Sequence, residues 1–480
     1  MVLSRFWLVI VISSLLYILG TLAFGSAYSI DSVVNGKKDE PILVREVYAA
    51  QLPAATVDSL KIAKDKQLVL KSAVPGKDTT LKLDNTTVKV MVGKQGADGI
   101  LPTAKSTIFD LLLPLIAYLA FFCGILQLLI DSGAAEKLAR LLSPVFIKVF
   151  PQVPANHPAI SYMTLNFAAN FLGLDSAATP FGLKAMESLQ EINPDKERAS
   201  DPQIMFMCLH AAGLTLIPTS IIGYRAAQGA HNPADVMLPC IITSFIGTLA
   251  ALIIVGIRQR INFKSAALLL SIGAISGIMA GLLFYINRLD LIGKNHFTSN
   301  ISNVILLSII LVIVVYSFLH EKAFAKIEKN VFASFVDGAN AGLKTGITIF
   351  PYVLGMLVAI SLFRNSGVFE ILSGWLAKLF LLFSVRKEIV DALPIAIMRP
   401  FNAAGSRGFL IDAMKTYGAD SLTGRLSSVF QCSAETTFYV IAVYFGSIKV
   451  KNTRYTLTTM LLVDLICVFA AIFVCLLFFK

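Results

Sequence analysis

Along most of this chain apolar residues do not alternate with polar ones; they run. Apolar stretches cover Phe6–Phe24, Ile108–Ile130, Val236–Ile257, Ala266–Ile286, Val304–Leu319 and Leu457–Phe479. Runs of roughly 18 residues predict helices that cross a membrane. Several further runs are interrupted by Gly, Pro, Asn or Ser. Counting these, the pattern predicts on the order of ten to twelve membrane-embedded helices or half-helices.

One segment breaks the pattern. Residues 28–105 are rich in Lys, Asp, Thr and Val, with short alternating runs at Gln67–Val74 and Thr80–Val92 and turn signals at Pro75-Gly76 and Asp84-Asn85. Alternation of period two between turns predicts a small β-rich insert outside the membrane. Residues 1–27 before it pair a charged start at Arg5 with an apolar run longer than a cleaved signal needs, which favours a retained anchor.

The remainder is written twice. Ser132-Gly133-x-x-Glu136-x-Leu138 recurs as Ser366-Gly367-x-x-Glu370-x-Leu372, and Phe181…Ala185-Met186 recurs as Phe409…Ala413-Met414. Two matches in the same order predict a first repeat over 106–262, joining spans over 263–330 and a second repeat over 331–480. Parallel and inverted orientations both remain open, because the interrupted runs leave the parity of the span count undecided.

Composition agrees with this reading: 56% of residues are hydrophobic, 15% are charged and the mean hydropathy is +0.73. The net charge of +11 comes from basic residues at loop ends rather than from one patch, which argues against nucleic-acid binding. Arg258, Arg260 and Lys264, then Lys322, Lys326 and Lys329, then Lys449, Lys451 and Arg454 mark cytoplasmic loops, with 288–300 outside. The six cysteines stand singly in apolar surroundings without metal-ligand spacing. No phosphate loop, nucleophile elbow or Ser/His/Asp set is present, so the sequence predicts neither an enzyme nor a metal or other cofactor.

Chemistry is concentrated where the apolar runs break. Asn166 and Asn170 share one helix face. Leu172 to Pro180, which includes Asp175 and Thr179, cannot continue as a regular helix, and Lys184 follows within a turn of the next start. In the second copy the breaks hold Arg399, Asn402, Ser406 and Arg407, then Gln431, Glu435 and Thr436. Ionised groups at mid-bilayer cost about 2.5–3.5 kcal/mol each on the insertion scale, so they are expected to pair or bind. Arg399 or Arg407 with Glu435 is the expected pair; a buried structural ion pair is the alternative reading. Arg364 and Glu370 are placed to do the same nearer the interface. His210 reads as a hydrogen-bonded core residue, and Asp464 as a partner for an unidentified cation.

The motif Asn166-x-x-x-Asn170-x-Leu172-Gly173-Leu174-x-x-Ala177-Ala178-Thr179-Pro180-x-Gly182-Leu183-Lys184-Ala185-Met186 resembles that of spore maturation protein A. The second half is similar to spore maturation protein B through Pro351-Tyr352, Phe363-Arg364-x-Ser366-Gly367, Met398-Arg399-Pro400, Gly424-Arg425-Leu426 and Glu435-Thr436-Thr437-Phe438-Tyr439-Val440. The chain thus resembles a fusion of the two. The resemblance implies the nucleoside recognition (Gate) domain, also associated with concentrative nucleoside transporters and B-type ferrous-iron transporters. In spore formers the A and B proteins are linked to dehydration of the spore core. Asp175-Ser176 stands where the family tends to have Gly-Asn, and Phe401-Asn402-Ala403-Ala404 replaces a Ser/Gly-rich stretch, so the solute is expected to differ. The insert suggests an organism that need not sporulate.

The expectation is an all-α polytopic protein of the bacterial cytoplasmic (inner) membrane, with two Gate-type repeats containing broken or re-entrant helices and the β-rich extracytoplasmic insert. Its partners are membrane lipid and a small polar solute passing through or binding at Asn166, Asn170, Asp175, Thr179, Lys184, Arg399, Asn402, Ser406, Arg407, Gln431, Glu435 and Thr436. Homo-oligomerisation stays open. The rival reading is a non-transporting scaffold or receptor acting through the insert.

Overall fold

The computed structural model describes residues 2–23, 33–34, five strand segments between 42 and 94, 99–173, 175–368, 371 and 386–479. The expected insert falls largely outside them. Within it the backbone shows β1 (Ile42–Tyr48), β2 (Gln67–Ser72), β3 (Thr79–Leu83), β4 (Thr86–Val90) and β5 (Gly93–Lys94). These pair as a β2-β1-β5 sheet and a separate β3-β4 hairpin, not as one sheet.

Everything else described is helical. The chain opens with α1 (Val2–Ala23). After the insert come α2 (Ile100–Asp131) and the amphipathic α3 (Ala134–Val149). Then follow two short pairs, α4 (Pro158–Phe171) with α5 (Asp175–Glu191) and α6 (Asp201–Ala212) with α7 (Thr219–Ala227), and the long α8 (Met237–Arg258). Two lightly buried helices, α9 (Ala266–Asn287) and α10 (Leu291–Leu319), lead to a second unit. That unit repeats the order: α11 (Val331–Asn365), the pairs α12 (Lys387–Met398) with α13 (Ala403–Tyr417) and α14 (Leu422–Cys432) with α15 (Thr437–Ser447), and the long α16 (Thr456–Phe479). Among the described residues, six helices are long and apolar enough to cross a membrane. The interrupted runs resolve into the eight helices of the four short pairs.

The duplicated Ser-Gly marks the end of a helix in both units. Gly133 and Gly367 have φ of +74° and +86°, the left-handed cap that glycine adopts without penalty. Both donate to the residue three back, Gly133 to Ile130 and Gly367 to Arg364. A second bond also repeats: Leu216 N–H donates to the Phe171 carbonyl at 2.7 Å, and Phe438 N–H to the Pro400 carbonyl at 3.0 Å. Each ties the broken α6/α7 or α14/α15 segment to the tip of the hairpin before it.

Contacts at the helix ends settle the relative orientation of the repeats. Gln259, just after α8, donates to the Tyr455 hydroxyl at the start of α16 (3.0 Å). At the other end Arg425 lies 4.5 Å from the Phe479 ring centroid and bonds Asp235, which precedes α8. So α8 and α16 run antiparallel. α2 and α11 do likewise: Asp131 accepts from Ser334, while Cys123, Leu119 and Ile116 face Gly338, Gly342 and Gly346 in turn. The repeats are therefore inverted. The glycine stripe lets the two backbones touch, since a Cβ on Gly342 would stand 2.5 Å from the Leu119 carbonyl oxygen.

The inversion extends to the short pairs. The α4/α5 hairpin has both ends at the α8 C-terminal end of the bundle, where Gln152 meets Asp201 and Gln190 meets the Ile448 carbonyl. The α12/α13 hairpin has both ends at the opposite end, where Thr423 donates to the Glu388 carbonyl and Lys415 to Ser106. All three basic loops gather at the α8 C-terminal end: Lys329 pairs with Asp131 at 3.6 Å, and Lys451 with Glu197 at 2.7 Å.

An impermeant thiol reagent acting on one face of sealed vesicles should label Asn262→Cys and Lys451→Cys together, above the wild-type background, and Arg288→Cys only from the other face. Labelling of the first two from opposite faces would refute the inverted arrangement. Gly342→Val should lower the thermal midpoint through overpacking of about 1–3 kcal/mol; an unchanged midpoint would mean that α2 and α11 do not touch there.

Candidate functional site

Four helix breaks converge at mid-height. A Cβ on Gly247, near the middle of α8, would stand 3.9 Å from the Ala212 carbonyl oxygen and 3.8 Å from that of Ser433, the points where α6 and α14 stop. These two helices enter from opposite ends and meet there, with Glu435 N–H donating to the Ala211 carbonyl at 2.8 Å. Gly173, at the α4/α5 tip, has φ of +77°, and a Cβ on it would lie 2.4 Å from the Ile217 carbonyl oxygen. Only glycine allows that approach.

Between the breaks lies a cavity of about 190 Å³ lined by both repeats. Six of the residues expected from sequence line it: Asn170 and Thr179 from the first repeat, Arg399, Arg407, Gln431 and Glu435 from the second. The others lie elsewhere. Asn166 is buried, and its amide donates to the Ala178 carbonyl at 2.7 Å. Thr436 is buried and accepts from Arg399 Nη1 at 3.2 Å. Asn402 caps α13, its Oδ1 accepting from Gly405 N–H at 2.7 Å. Ser406 is fully buried and donates to the Ala403 carbonyl. Lys184 is exposed, its Nζ 5.8 Å from the Tyr162 ring centroid. Five helical residues separate it from Thr179, a rotation that carries it off the lining face. The Asp175 and Glu370 side chains lie outside the described residues.

Arg399 and Glu435 do face each other, but loosely: Nη2 to Oε2 is 3.6 Å, beyond hydrogen-bond length, and the Glu435 side chain is 41% exposed. The neighbouring Arg364 is bound instead to Asp412 at 2.6 Å. Asp464 accepts from the Thr437 hydroxyl at 2.7 Å.

Sequence reasoning undervalued His210 and Tyr444, which also line the cavity with ring centroids 4.8 Å apart. The Asn166 bond to Ala178 fixes which end of that amide is oxygen, and this Oδ1 lies 3.1 Å from His210 Nδ1. Nδ1 therefore carries the proton and donates. Asn170 approaches the same nitrogen through its Nδ2, at 2.9 Å, an end that a protonated Nδ1 cannot bond, so the amide is turned over. Its carbonyl oxygen is the end that suits a protonated Nδ1, an orientation assigned from the network. The Asn170 NH2 group and the Nε2 lone pair of a neutral imidazole are then free for the cavity. Tyr444 is held against the α5 backbone: a Cβ on Gly182 would stand 2.4 Å from its ring.

A second ionic cluster was invisible in the sequence. Fully buried Arg225 reaches Asp235 at 2.7 Å and Asp420 at 3.2 Å, and Arg425 reaches Asp235 at 2.8 Å. Asp420 and Arg425 come from the other repeat, 195 residues or more along the chain from Arg225. The cluster lies beyond the cavity and clasps the two repeats together.

A family model described as nucleoside recognition (Gate) matches residues 112–259 and 346–451, more than half of the chain. The chain is 37% identical over 140 residues to spore maturation protein A of Bacillus subtilis (strain 168), covering 29% of the chain and 71% of that protein. It is 40% identical over 148 residues to spore maturation protein B of the same organism, covering 31% of the chain and 82% of that protein. The two matches fall on different segments. No solved structure matches the chain.

The cluster and the cavity should respond differently to substitution. Arg225→Leu takes the guanidinium from Asp420 and leaves Asp235 to Arg425 alone in a buried site, at a cost of about 3–5 kcal/mol, and should abolish folded yield by size-exclusion chromatography. Asn170→Ala, at the cavity wall, should leave yield and elution unchanged. A well-folded Arg225→Leu would remove the clasp.

Proposed function

Because the chain belongs to the nucleoside recognition (Gate) family and is a multi-pass membrane protein, we propose that it is a transporter or gated pathway for a small polar solute. One observation carries this: a polar cavity at mid-height, built from both inverted repeats at the points where their helices break. Discontinuous helices are tolerated at membrane depth where they are buried in protein or line a cavity, and inverted repeats meeting at such a cavity are how many secondary transporters bind their cargo. In this reading α4/α5 and α12/α13 are re-entrant hairpins entering from opposite faces, each closing one side of the site.

The basic loops at the α8 C-terminal end put that end in the cytoplasm by the positive-inside rule. α1 then leaves residues 28–105 on the far side of a bacterial cytoplasmic membrane. Asn170, Thr179, His210, Arg399, Gln431 and Glu435 hold the solute, while Asn166 and Thr436 position His210 and Arg399. No nucleotide-binding loop is present to drive hydrolysis, so flux follows a gradient.

Proteoliposomes offered radiolabelled uridine, benzoate and inorganic phosphate test the reading. Wild type should move at least one of them faster than protein-free vesicles. Asn170→Ala and Glu435→Gln should each cut that rate tenfold or more while eluting as wild type. If wild type moves none of the three, or both variants move them normally, the pathway is refuted.

A further inference from the structure

The arginines of this bundle divide into two kinds. Four that are buried or half-buried have a carboxylate within hydrogen-bond distance: Arg225 on Asp235 at 2.7 Å, Arg364 on Asp412 at 2.6 Å, Arg425 on Asp235 at 2.8 Å and Arg454 on Asp201 at 2.6 Å. The two that line the cavity differ. Arg399 has only the loose 3.6 Å approach to Glu435, and its Nε is buried without a hydrogen-bond partner. Arg407 is half-buried and has no carboxylate within ion-pair distance among the described residues. Among the described residues the lining therefore carries two guanidinium charges against one carboxylate. An uncompensated cation at membrane depth is costly, and the four arginines named first are each compensated.

Two further features point the same way. Thr219 and Ser220, at the start of α7, line the cavity, and that helix begins with no side-chain cap. The N-terminal end of a helix is a partial positive charge with outward N–H groups. Gln431 is 5% exposed, lines the cavity and has a carbonyl oxygen without a partner. A buried amide left unbonded is costly, so a ligand group is the natural complement. Guanidinium donors thus outweigh carboxylate on the wall, and Gln431 Oε1, His210 Nε2 and the partly exposed Glu435 stand there as acceptors beside the lining hydroxyls.

We infer that the solute of this cavity is a small organic or inorganic anion, bearing a carboxylate or phosphate group and at least one hydrogen-bond donor. Arg407 and the first turn of α7 take the anionic group, Arg399 Nε adds a donor, and Gln431 and His210 accept from the rest of the molecule. The assignment rests on the cavity being the solute site. The same chemistry comes from a free anion or from the headgroup of an anionic lipid.

Thermal-shift titration of the purified full chain at constant ionic strength separates these cases, using inorganic phosphate, 4-hydroxybenzoate, phosphatidylglycerol and the uncharged comparator uridine, with chloride as the reference. Phosphate or 4-hydroxybenzoate should raise the midpoint saturably where uridine does not. Arg407→Gln should weaken that response tenfold or more, Arg407→Lys should recover part of it, and Lys184→Gln, remote from the cavity, should match wild type. A response to phosphatidylglycerol alone, lost in Arg407→Gln, assigns the anion to a headgroup. The inference is overturned if no anion shifts the midpoint, if uridine shifts it as much, or if Arg407→Gln responds as wild type. Anion binding without vesicle flux would remove the pathway and keep the charge preference; uridine flux without anion binding would do the reverse.

Discussion

A backbone amide or carbonyl that leaves a helix inside a bilayer has no water to bond, and every other feature of this molecule accommodates that constraint. Four segments stop at mid-height, and their loose ends bond one another. Leu216 bonds Phe171 within the first repeat, Phe438 bonds Pro400 within the second, and Glu435 bonds Ala211 between the two. The first two bonds are the same contact made twice. The third has no counterpart among the described residues, and it closes the centre by joining a helix that descends from one face to one that rises from the other. Breaking helices there is tolerable because each break supplies what another lacks. What is left over, on side chains rather than backbone, faces the cavity.

The same logic separates structural charge from exposed charge. Arg225, Asp235, Asp420 and Arg425 satisfy one another at 2.7–3.2 Å and hold the repeats at one end. Lys451 with Glu197 and Arg454 with Asp201 do so at the other. Between these clasps the ionic contacts loosen to 3.6 Å at Arg399 and Glu435. A fold that needed the central pair for stability would be expected to bring it to charge-assisted bonding distance, about 2.7–2.9 Å, as it does at both ends. The centre is held by backbone bonds and by the glycine stripe against α2, which leaves its charges available.

Much of this was legible in the sequence, because its signals were backbone signals. Ser132-Gly133 and Ser366-Gly367 spelled a repeated helix end, and the left-handed φ at both glycines is the physical content of that spelling. Breaks within Leu172 to Pro180 and Met398 to Gly408 were readable because Gly and Pro disfavour helix for local reasons, but they are narrower than those stretches: α5 begins at Asp175 and holds Pro180 inside it, and α13 begins at Ala403. Side-chain destinations were less legible. Lys184 was grouped with the site by closeness in sequence, yet helical rotation carries it away. Asn402 and Ser406 serve α13 locally, as cap and turn residues commonly do. Arg225 sat unnoticed in an apolar run because its carboxylates lie ten and 195 residues away. His210 was read as a core residue; the signal that would have raised it is a lone imidazole just before a Gly-containing break, opposite two asparagines one turn apart. Repeat orientation needed the end contacts themselves.

The two copies have kept a common backbone and diverged in chemistry. The first brings amides, hydroxyls and an imidazole to the centre; the second brings two guanidinium groups, a carboxylate and an amide. Inversion alone would give a symmetric site, equally suited to a solute entering in either orientation. Concentrating charge on the walls built from α12/α13 and α14/α15 removes that equivalence. A polar solute then has one end that gains from guanidinium contact and one that gains from neutral hydrogen bonds, so it is held in a single orientation. In the proposed pathway, opening one hairpin would strip the solute of its charged contacts, and opening the other would strip its neutral ones. The energetic cost of opening toward the two faces therefore differs even though the backbone moves are related by symmetry.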